Sequence, residues 1–137
     1  MSNTTMETAQ QAFQHFSHGL ATGEWQPYLD MLTEDFTLWF PLGEFRGKNV
    51  GKERAAAFFQ YLSEKLKVAV TVTSVLHVTS NGNTVVFEFE DEGQSLGKPY
   101  KNRMTASLDV RGNQISGHRE YVGDIDPKSI SMLSDLS

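Results

Sequence analysis

The 137-residue chain is 39% hydrophobic and 21% charged. This length supports one sizeable core and excludes two ordinary domains. Its formal net charge is -5, and its basic residues are scattered, which excludes the basic surface that nucleic acid or anionic lipid would require. The sequence contains no cysteine, which excludes disulfides and thiolate nucleophiles, and no stretch approaches the roughly 18 apolar residues of a membrane span. We therefore expect a soluble, cytoplasmic protein with no nucleic-acid or membrane partner.

Three helices are predicted in the first half of the chain. Thr4 and Glu7 have the spacing of a capping box, in which each side chain accepts a hydrogen bond from the free backbone N–H of the other residue. The helix that starts there runs to Gly19 or Gly23, and its apolar stripe consists of Met6, Ala9, Phe13, Phe16 and Leu20. A short second helix has Pro27 in its first turn, where a missing amide hydrogen does no harm. A third helix follows Gly51, with a stripe of Ala55, Phe58, Phe59, Leu62 and Leu66.

Strand patterns dominate the rest of the chain. A first strand is predicted at 36–40, between the second and third helices, and the segment 41–51 is predicted to be an irregular connection. Two-residue alternation then predicts strands near 68–79, 84–91, 99–110 and 114–122, with hairpin turns at Asn81-Gly82 and Arg111-Gly112-Asn113. Helices followed by a meander indicate an α+β domain in which three helices cover one face of a curved antiparallel sheet. We expect one domain over 1–126 and a short tail over 127–137.

The order of these pieces resembles a known family. The signatures are Ala-Thr-Gly-Glu-Trp after the first helix, Phe40-Pro41 at the end of a strand, a glycine-spaced loop, and Arg119-Glu120-Tyr121 near the end. Together they resemble the SnoaL-like polyketide cyclases and ketosteroid isomerases of the nuclear transport factor 2-like, cystatin-like group, over residues 6–126. The resemblance implies a cone-shaped fold, an apolar pocket, no required cofactor and, in many members, a homodimer.

Several positions depart from the family's catalytic pattern. The aspartate base of the steroid isomerases, just before the proline of a strand-to-loop corner, corresponds to Phe40 here. Their tyrosine donor corresponds to Phe16, and their aspartic-acid donor on the penultimate strand corresponds to Thr105. The isomerase triad is therefore absent. The limonene epoxide hydrolases, another branch, carry an acid on the last strand where Glu120 stands, whereas their arginine and aspartate on an earlier strand have no residue-by-residue match.

The last predicted strand carries the candidate catalytic residues. Alternation places His118 and Glu120 on one face, and the resemblance implies that this face lines the pocket. The same register points Arg103 inward, so we expect His118 or Glu120 as a general base and Arg103 as an electrostatic stabiliser. The candidate ligand-binding residues are Tyr28, Trp39, Phe40, Phe59, Glu88 and Thr105. Each has a purely structural alternative, because a buried arginine and glutamate form ion pairs with or without chemistry, and aromatic residues at these spacings are typical of a core.

No metal site is predicted. His15 and His18 have a spacing that suits metal binding, but both project away from the apolar stripe of the first helix. His77 has no evident partner on its strand. We expect all three histidines to be solvated or half-exposed.

Two functions remain open at this level. The first is a cofactor-independent isomerase, cyclase or hydrolase that transfers a proton or adds water on a small, largely apolar molecule. The second is a non-catalytic ligand-binding or dimerisation module of the same fold. With Arg103 and Thr105 inside, Met104, Ala106 and Leu108 would lie outside, where a second copy would cover them in a homodimer.

Overall fold

The computed structural model describes residues 2–123 and the side chains of 4–123. The predicted tail, 127–137, lies outside the described residues. The elements are three helices, α1 to α3, one 3-10 turn and six strands, β1 to β6. In chain order they are α1 Ser2–Thr22, α2 Gln26–Leu29, β1 Leu32–Phe40, the 3-10 turn Gly43–Phe45, β2 Gly47–Val50, α3 Lys52–Glu64, β3 Ala69–Asn81, β4 Thr84–Ser95, β5 Lys98–Arg111 and β6 Gln114–Val122.

Within residues 2–123 the strands form one sheet in the order β2-β1-β6-β5-β4-β3. All neighbouring strands are antiparallel except β1 and β6, which are parallel. The predicted α+β class is confirmed, and the sheet is mixed where an antiparallel one was expected. The reason is that β6, the last strand of the meander, returns beside β1 in the same direction as β1.

The segment 41–51 is more regular than its composition indicates. It contains the 3-10 turn and β2, which pairs with β1 so that Asn49 lies opposite Leu38. Glycines punctuate these elements, because Gly43, Gly47 and Gly51 all have positive φ, a conformation that glycine adopts without steric cost. The expectation of an irregular connection is therefore wrong for 47–50.

The helices pack on the concave face of the sheet. Five side chains predicted to lie between the two layers are buried there: Phe13, Phe16, Phe58, Phe59 and Leu62. Met104, Ala106 and Leu108 join the same core, with exposures of 7%, 0% and 1%. The expectation that these three cover an outer face is wrong. No helix within residues 2–123 is long and apolar enough to cross a membrane.

Candidate active site in the cone cavity

Three polar side chains form a chain of hydrogen bonds inside the apolar core. The Tyr28 hydroxyl lies 2.6 Å from Nδ1 of His118, and Nε2 of His118 lies 2.9 Å from Oε1 of Glu120. Tyr28 and His118 are fully buried, and Glu120 is 3% exposed. Buried polar groups of this kind are stable only when they are hydrogen-bonded, and here each of the three has a partner.

The partners assign the proton positions in this chain. Burial, and secondarily the negative charge of Glu120, hold the pKa of the Tyr28 hydroxyl well above its usual value. The hydroxyl therefore keeps its proton and donates it in a hydrogen bond to Nδ1 of His118. Nε2 of His118 then carries the ring hydrogen and donates to Glu120. Both ring nitrogens of His118 are thus hydrogen-bonded, and the ring orients the carboxylate of Glu120 from behind.

An irregularity in the last hairpin determines which residues of β6 point inward. Val110 lies opposite Ile115 but Asp109 lies opposite Gly117, so Ser116 is an extra residue in β6. A bulge of one residue reverses the alternation of side chains along a strand. Ile115 therefore lies on the inner face before the bulge, and His118 and Glu120 lie on the same face after it.

A cavity of about 310 Å³ opens beside Glu120. Helices α1 and α3, the end of β1 and the inner faces of β3, β4, β5 and β6 supply most of its wall, which is mainly aliphatic and aromatic. Its aromatic members are Phe16, Phe40, Tyr61, Phe89 and Tyr100. Among the described residues that line it, the carboxyl groups are Asp91 and Glu120, and neither lysine nor arginine is present. An apolar cavity with a few convergent polar groups is the usual form of a small-molecule site.

Asp91 is the second acidic group of the cavity. Burial, followed by the charge of Glu120, raises the pKa of the Asp91 carboxyl to about 7, against a smaller opposing effect of a backbone hydrogen bond. Asp91 is 3% exposed, and its Oδ1 has no hydrogen-bond partner within residues 4–123. Asp91 is therefore about half-protonated near neutrality.

Tyr100 and Asn102 surround Asp91 on the same face of the sheet. Asn102 lies directly opposite Asp91 in the β4–β5 ladder, and its Nδ2 donates to the Tyr100 hydroxyl over 3.0 Å. Burial, and then the charge of Asp91, raises the pKa of Tyr100 to about 12. Tyr100 therefore stays protonated and neutral at physiological pH. Sequence analysis did not single out these three residues.

Three predicted site residues lie on the opposite face of the sheet. Arg103 is exposed and faces Glu90 across the β4–β5 ladder, while Glu88 and Thr105 face each other two pairs further along, on the same face. The predicted position of Arg103, Glu88 and Thr105 inside the cavity is therefore wrong. The reason is the bulge at Ser116. An unbroken hairpin would place Thr105 opposite Glu120, whereas the observed partner of Glu120 is Ala106.

The predicted aromatic residues divide into three positions. Phe40 lines the cavity. Phe59 is fully buried behind it, with its ring centroid 5.8 Å from that of His118, and Tyr28 holds His118 from the same side. Trp39 lies on the outer face, where its ring is 5.3 Å from that of Tyr121, so the expected position of Trp39 in the cavity wall is wrong.

The remaining histidines lie outside the cavity. His18 is exposed and its Nε2 is 2.8 Å from Oε1 of Glu24, His77 is exposed, and His15 is half-buried. In the part of the chain that the structure describes, no group of three or more acidic or histidine side chains is arranged to hold a metal ion.

Comparison with known proteins identifies the family. The SnoaL-like domain model matches residues 13–118. A crystal structure of an NTF2-like protein from Anabaena variabilis ATCC 29413 is 60% identical, with 90% of this chain and 92% of that chain covered and a TM-score of 0.86. The chain therefore belongs to the SnoaL-like family of NTF2-like folds, as the sequence resemblance predicted.

More distant structures share the fold. A candidate SnoaL-like polyketide cyclase from Jannaschia sp. CCS1 is 20% identical, with a TM-score of 0.71 over 96% of this chain and 91% of that one. A candidate isomerase from Bacillus subtilis is 18% identical, with a TM-score of 0.71 over 97% and 96%. No curated protein matches the chain significantly.

Proposed function

We propose that the cavity binds a small, largely apolar molecule and that Glu120 accepts a proton from it. The observation that supports this proposal is the position of Glu120, whose carboxylate belongs to the cavity wall while His118 and Tyr28 hold it from behind. A carboxylate in the wall of a largely apolar cavity lies within reach of a bound substrate and can accept a proton from it as a general base.

The proposed chemistry is proton transfer of the isomerase or cyclase type. A C–H bond next to a carbonyl breaks, its proton moves to Glu120, and the electron pair is delocalised onto the carbonyl oxygen of the substrate. Glu120 then returns the proton to the same or another carbon. His118 has no exposed surface and does not line the cavity. His118 is therefore a positioning residue in this scheme, and Glu120 is the member of the expected pair, His118 or Glu120, that acts as the base.

Exchange of carbon-bound hydrogen tests the proposal without knowledge of the natural substrate. The probe is 2-tetralone, a small apolar ketone, and loss of its α-proton signal in D2O is followed by ¹H NMR. We expect the protein to accelerate exchange, and we expect Glu120→Gln to reduce the acceleration by about 100-fold or more, the usual contribution of a general base. Glu88→Gln, on the outer face, is the matched control and should exchange at the wild-type rate.

The non-catalytic alternative predicts a different result. If 2-tetralone binds in the cavity but exchanges at the rate of protein-free buffer, the chain is a ligand-binding module and the proposed proton transfer is refuted. Equal acceleration by wild type and Glu120→Gln would refute the role of Glu120.

A further inference from the structure

The cavity contains two carboxyl groups and, among the described residues that line it, no cationic side chain. From this geometry we infer that its ligand carries a protonated amine on an apolar skeleton, and that Asp91 is the carboxylate that anchors the ammonium group. The inference rests on the proposed function, because it names the ligand class of the same cavity. It goes further in assigning Asp91 to binding, whereas Glu120 remains the proton acceptor.

The unpaired oxygen of Asp91 is the first reason. Asp91 is 3% exposed, and its Oδ1 lacks a hydrogen-bond donor within residues 4–123. A buried acceptor without a donor costs about 1 to 3 kcal/mol, so native structures usually supply one. Because Asp91 lines the cavity, a bound N–H group would supply the missing donor.

Charge balance is the second reason. The titratable groups that face the cavity are Tyr61 from α3, Asp91 from β4, Tyr100 from β5 and Glu120 from β6, and His118 is hydrogen-bonded to Glu120 from behind, outside the wall. Helix α1 contributes only apolar side chains to this wall. An anionic ligand would bring a like charge beside two acids in a poorly hydrated space, whereas a cation would be attracted by both.

The aromatic wall is the third reason. Phe16, Phe40, Phe89 and the two tyrosines present ring surfaces in the same cavity. Aromatic faces attract ammonium groups, with a contribution of about 0.5 to 2 kcal/mol that is largest when the cation is desolvated. Aromatic rings together with carboxylates form a suitable site for a hydrophobic ammonium ion.

Binding of an ammonium should also release a proton. The pKa of Asp91 is raised to about 7 in the free protein, so a large part of the Asp91 population is protonated at slightly acidic pH. A positive charge beside Asp91 favours its ionised form and lowers this pKa. We expect amine binding to release up to about one proton per site below neutral pH, and to become tighter as the pH rises through about 7.

A ligand set with one skeleton tests the inference by isothermal titration calorimetry of the full chain. The probes are 2-aminotetralin, tetralin-2-carboxylate and 2-tetralone, which differ only in the head group. We expect the amine to bind at least about 10-fold more tightly than the carboxylate, a difference of about 1.4 kcal/mol. Titrations in two buffers of different ionisation enthalpy should detect the released proton for the amine alone.

Two variants locate the effect. Asp91→Asn should reduce the preference for the amine over the carboxylate by about 10-fold and abolish proton release, because asparagine cannot ionise. Glu92→Gln is the matched control, since Glu92 is the exposed neighbour of Asp91 on the other face of β4, and it should behave as wild type.

The outcomes separate this inference from the proposed function. Equal or tighter binding of the carboxylate, or an Asp91→Asn variant that retains the full preference for the amine, overturns the inference. If 2-tetralone exchange still depends on Glu120 in that case, the proposed proton transfer stands. If 2-tetralone neither binds nor exchanges while the amine binds through Asp91, the proposed function falls and the amine site stands.

Discussion

Tyr28 and His118 are 90 positions apart in the chain, and the Tyr28 hydroxyl donates a hydrogen bond of 2.6 Å to Nδ1 of His118 in the centre of the core. This contact joins α2 to β6. It also gives Nδ1 its partner within residues 4–123, so that Nε2 is left to donate to Glu120.

Tyr28→Phe should remove this contact and leave Nδ1 of His118 unpaired in a fully buried position. The free energy of unfolding should fall by about 1 to 3 kcal/mol, the usual cost of a buried polar atom without a partner. Urea unfolding measures the loss, and the ¹⁵N chemical shifts of His118 report whether one tautomer still dominates. Unchanged stability and unchanged shifts would show that the hydroxyl does not fix the ring.

The pH dependence of stability should reveal the buried Asp91. An aspartate in an unfolded chain has a pKa near 3.9, whereas the pKa of folded Asp91 is about 7. The unfolded state therefore loses its proton at lower pH, and the contribution of Asp91 to stability falls as the pH rises from about 4 to about 7. Asp91→Asn should be more stable relative to wild type at about pH 8 than at about pH 5, as measured by urea unfolding. A difference that is independent of pH would contradict the raised pKa.

Two arginines offer a matched comparison. Arg119 donates to Asp109, with Nη2 2.9 Å from Oδ1, and this hydrogen bond is the main reason why the pKa of Asp109 is lowered. Arg103 is exposed and has no ion-pair partner within residues 4–123. We expect Arg119→Ala to lower the free energy of unfolding by about 1 kcal/mol and Arg103→Ala to change it by less than about 0.5 kcal/mol. Arg103→Ala should also leave 2-tetralone exchange unchanged. A loss of exchange would show that Arg103 contributes to the proton transfer.

Phe59 is the central aromatic residue of the core. Its ring contacts Trp25, Tyr28, Phe58 and His118, with centroid distances between 4.6 and 5.8 Å. Phe59→Ala should reduce the free energy of unfolding by about 3 to 5 kcal/mol through loss of burial and the cavity that remains. Val75→Ala, at an exposed position of β3, is the control for a truncated apolar side chain. Thermal melting curves that coincide for Phe59→Ala and wild type would contradict the observed packing.

A homodimer remains a prediction, and the structure changes the surface that we expect to form its interface. Met104, Ala106 and Leu108 are inside the core, whereas Trp39 and Tyr121 form an aromatic pair on the outer face, where Tyr121 is 44% exposed. Sedimentation velocity at micromolar concentration should show a dimer, and Tyr121→Lys should shift it toward monomer by placing like charges in the interface. A wild-type chain that sediments only as a monomer would refute the dimer.

The sequence predicts the fold well because its elements are set by local signals. Phe13, Phe16, Phe58 and Phe59 recur at helical spacing, and the structure buries all four. Hairpin register is different. It depends on whether a strand contains an extra residue, and no feature of the sequence around Ser116 predicts the bulge. One extra residue was enough to place Arg103 outside and to separate it from Glu120.

Asp91 had a signal that sequence analysis did not use. Val85, Phe87 and Phe89 alternate as the inner residues of β4, and Asp91 continues the same parity. The strand predicted near 84–91 ends at Asp91, and the sequence patterns did not single out this last residue as a cavity residue. Its raised pKa and its place beside Glu120 depend on contacts between strands, which a single sequence does not contain.

The parallel pairing of β1 with β6 bears on how the protein is made. Synthesis proceeds from the N-terminus at about 5 to 20 residues per second, so the interval between Tyr28 and His118 lasts roughly 5 to 20 s. Until β6 emerges, β1 lacks the strand with which it pairs on one side. The sheet around Leu38, which pairs with His118 in the complete fold, therefore remains incomplete. A nascent chain that stops before Gln114 would therefore expose this incomplete sheet to chaperones and proteases, and would lack His118 and Glu120.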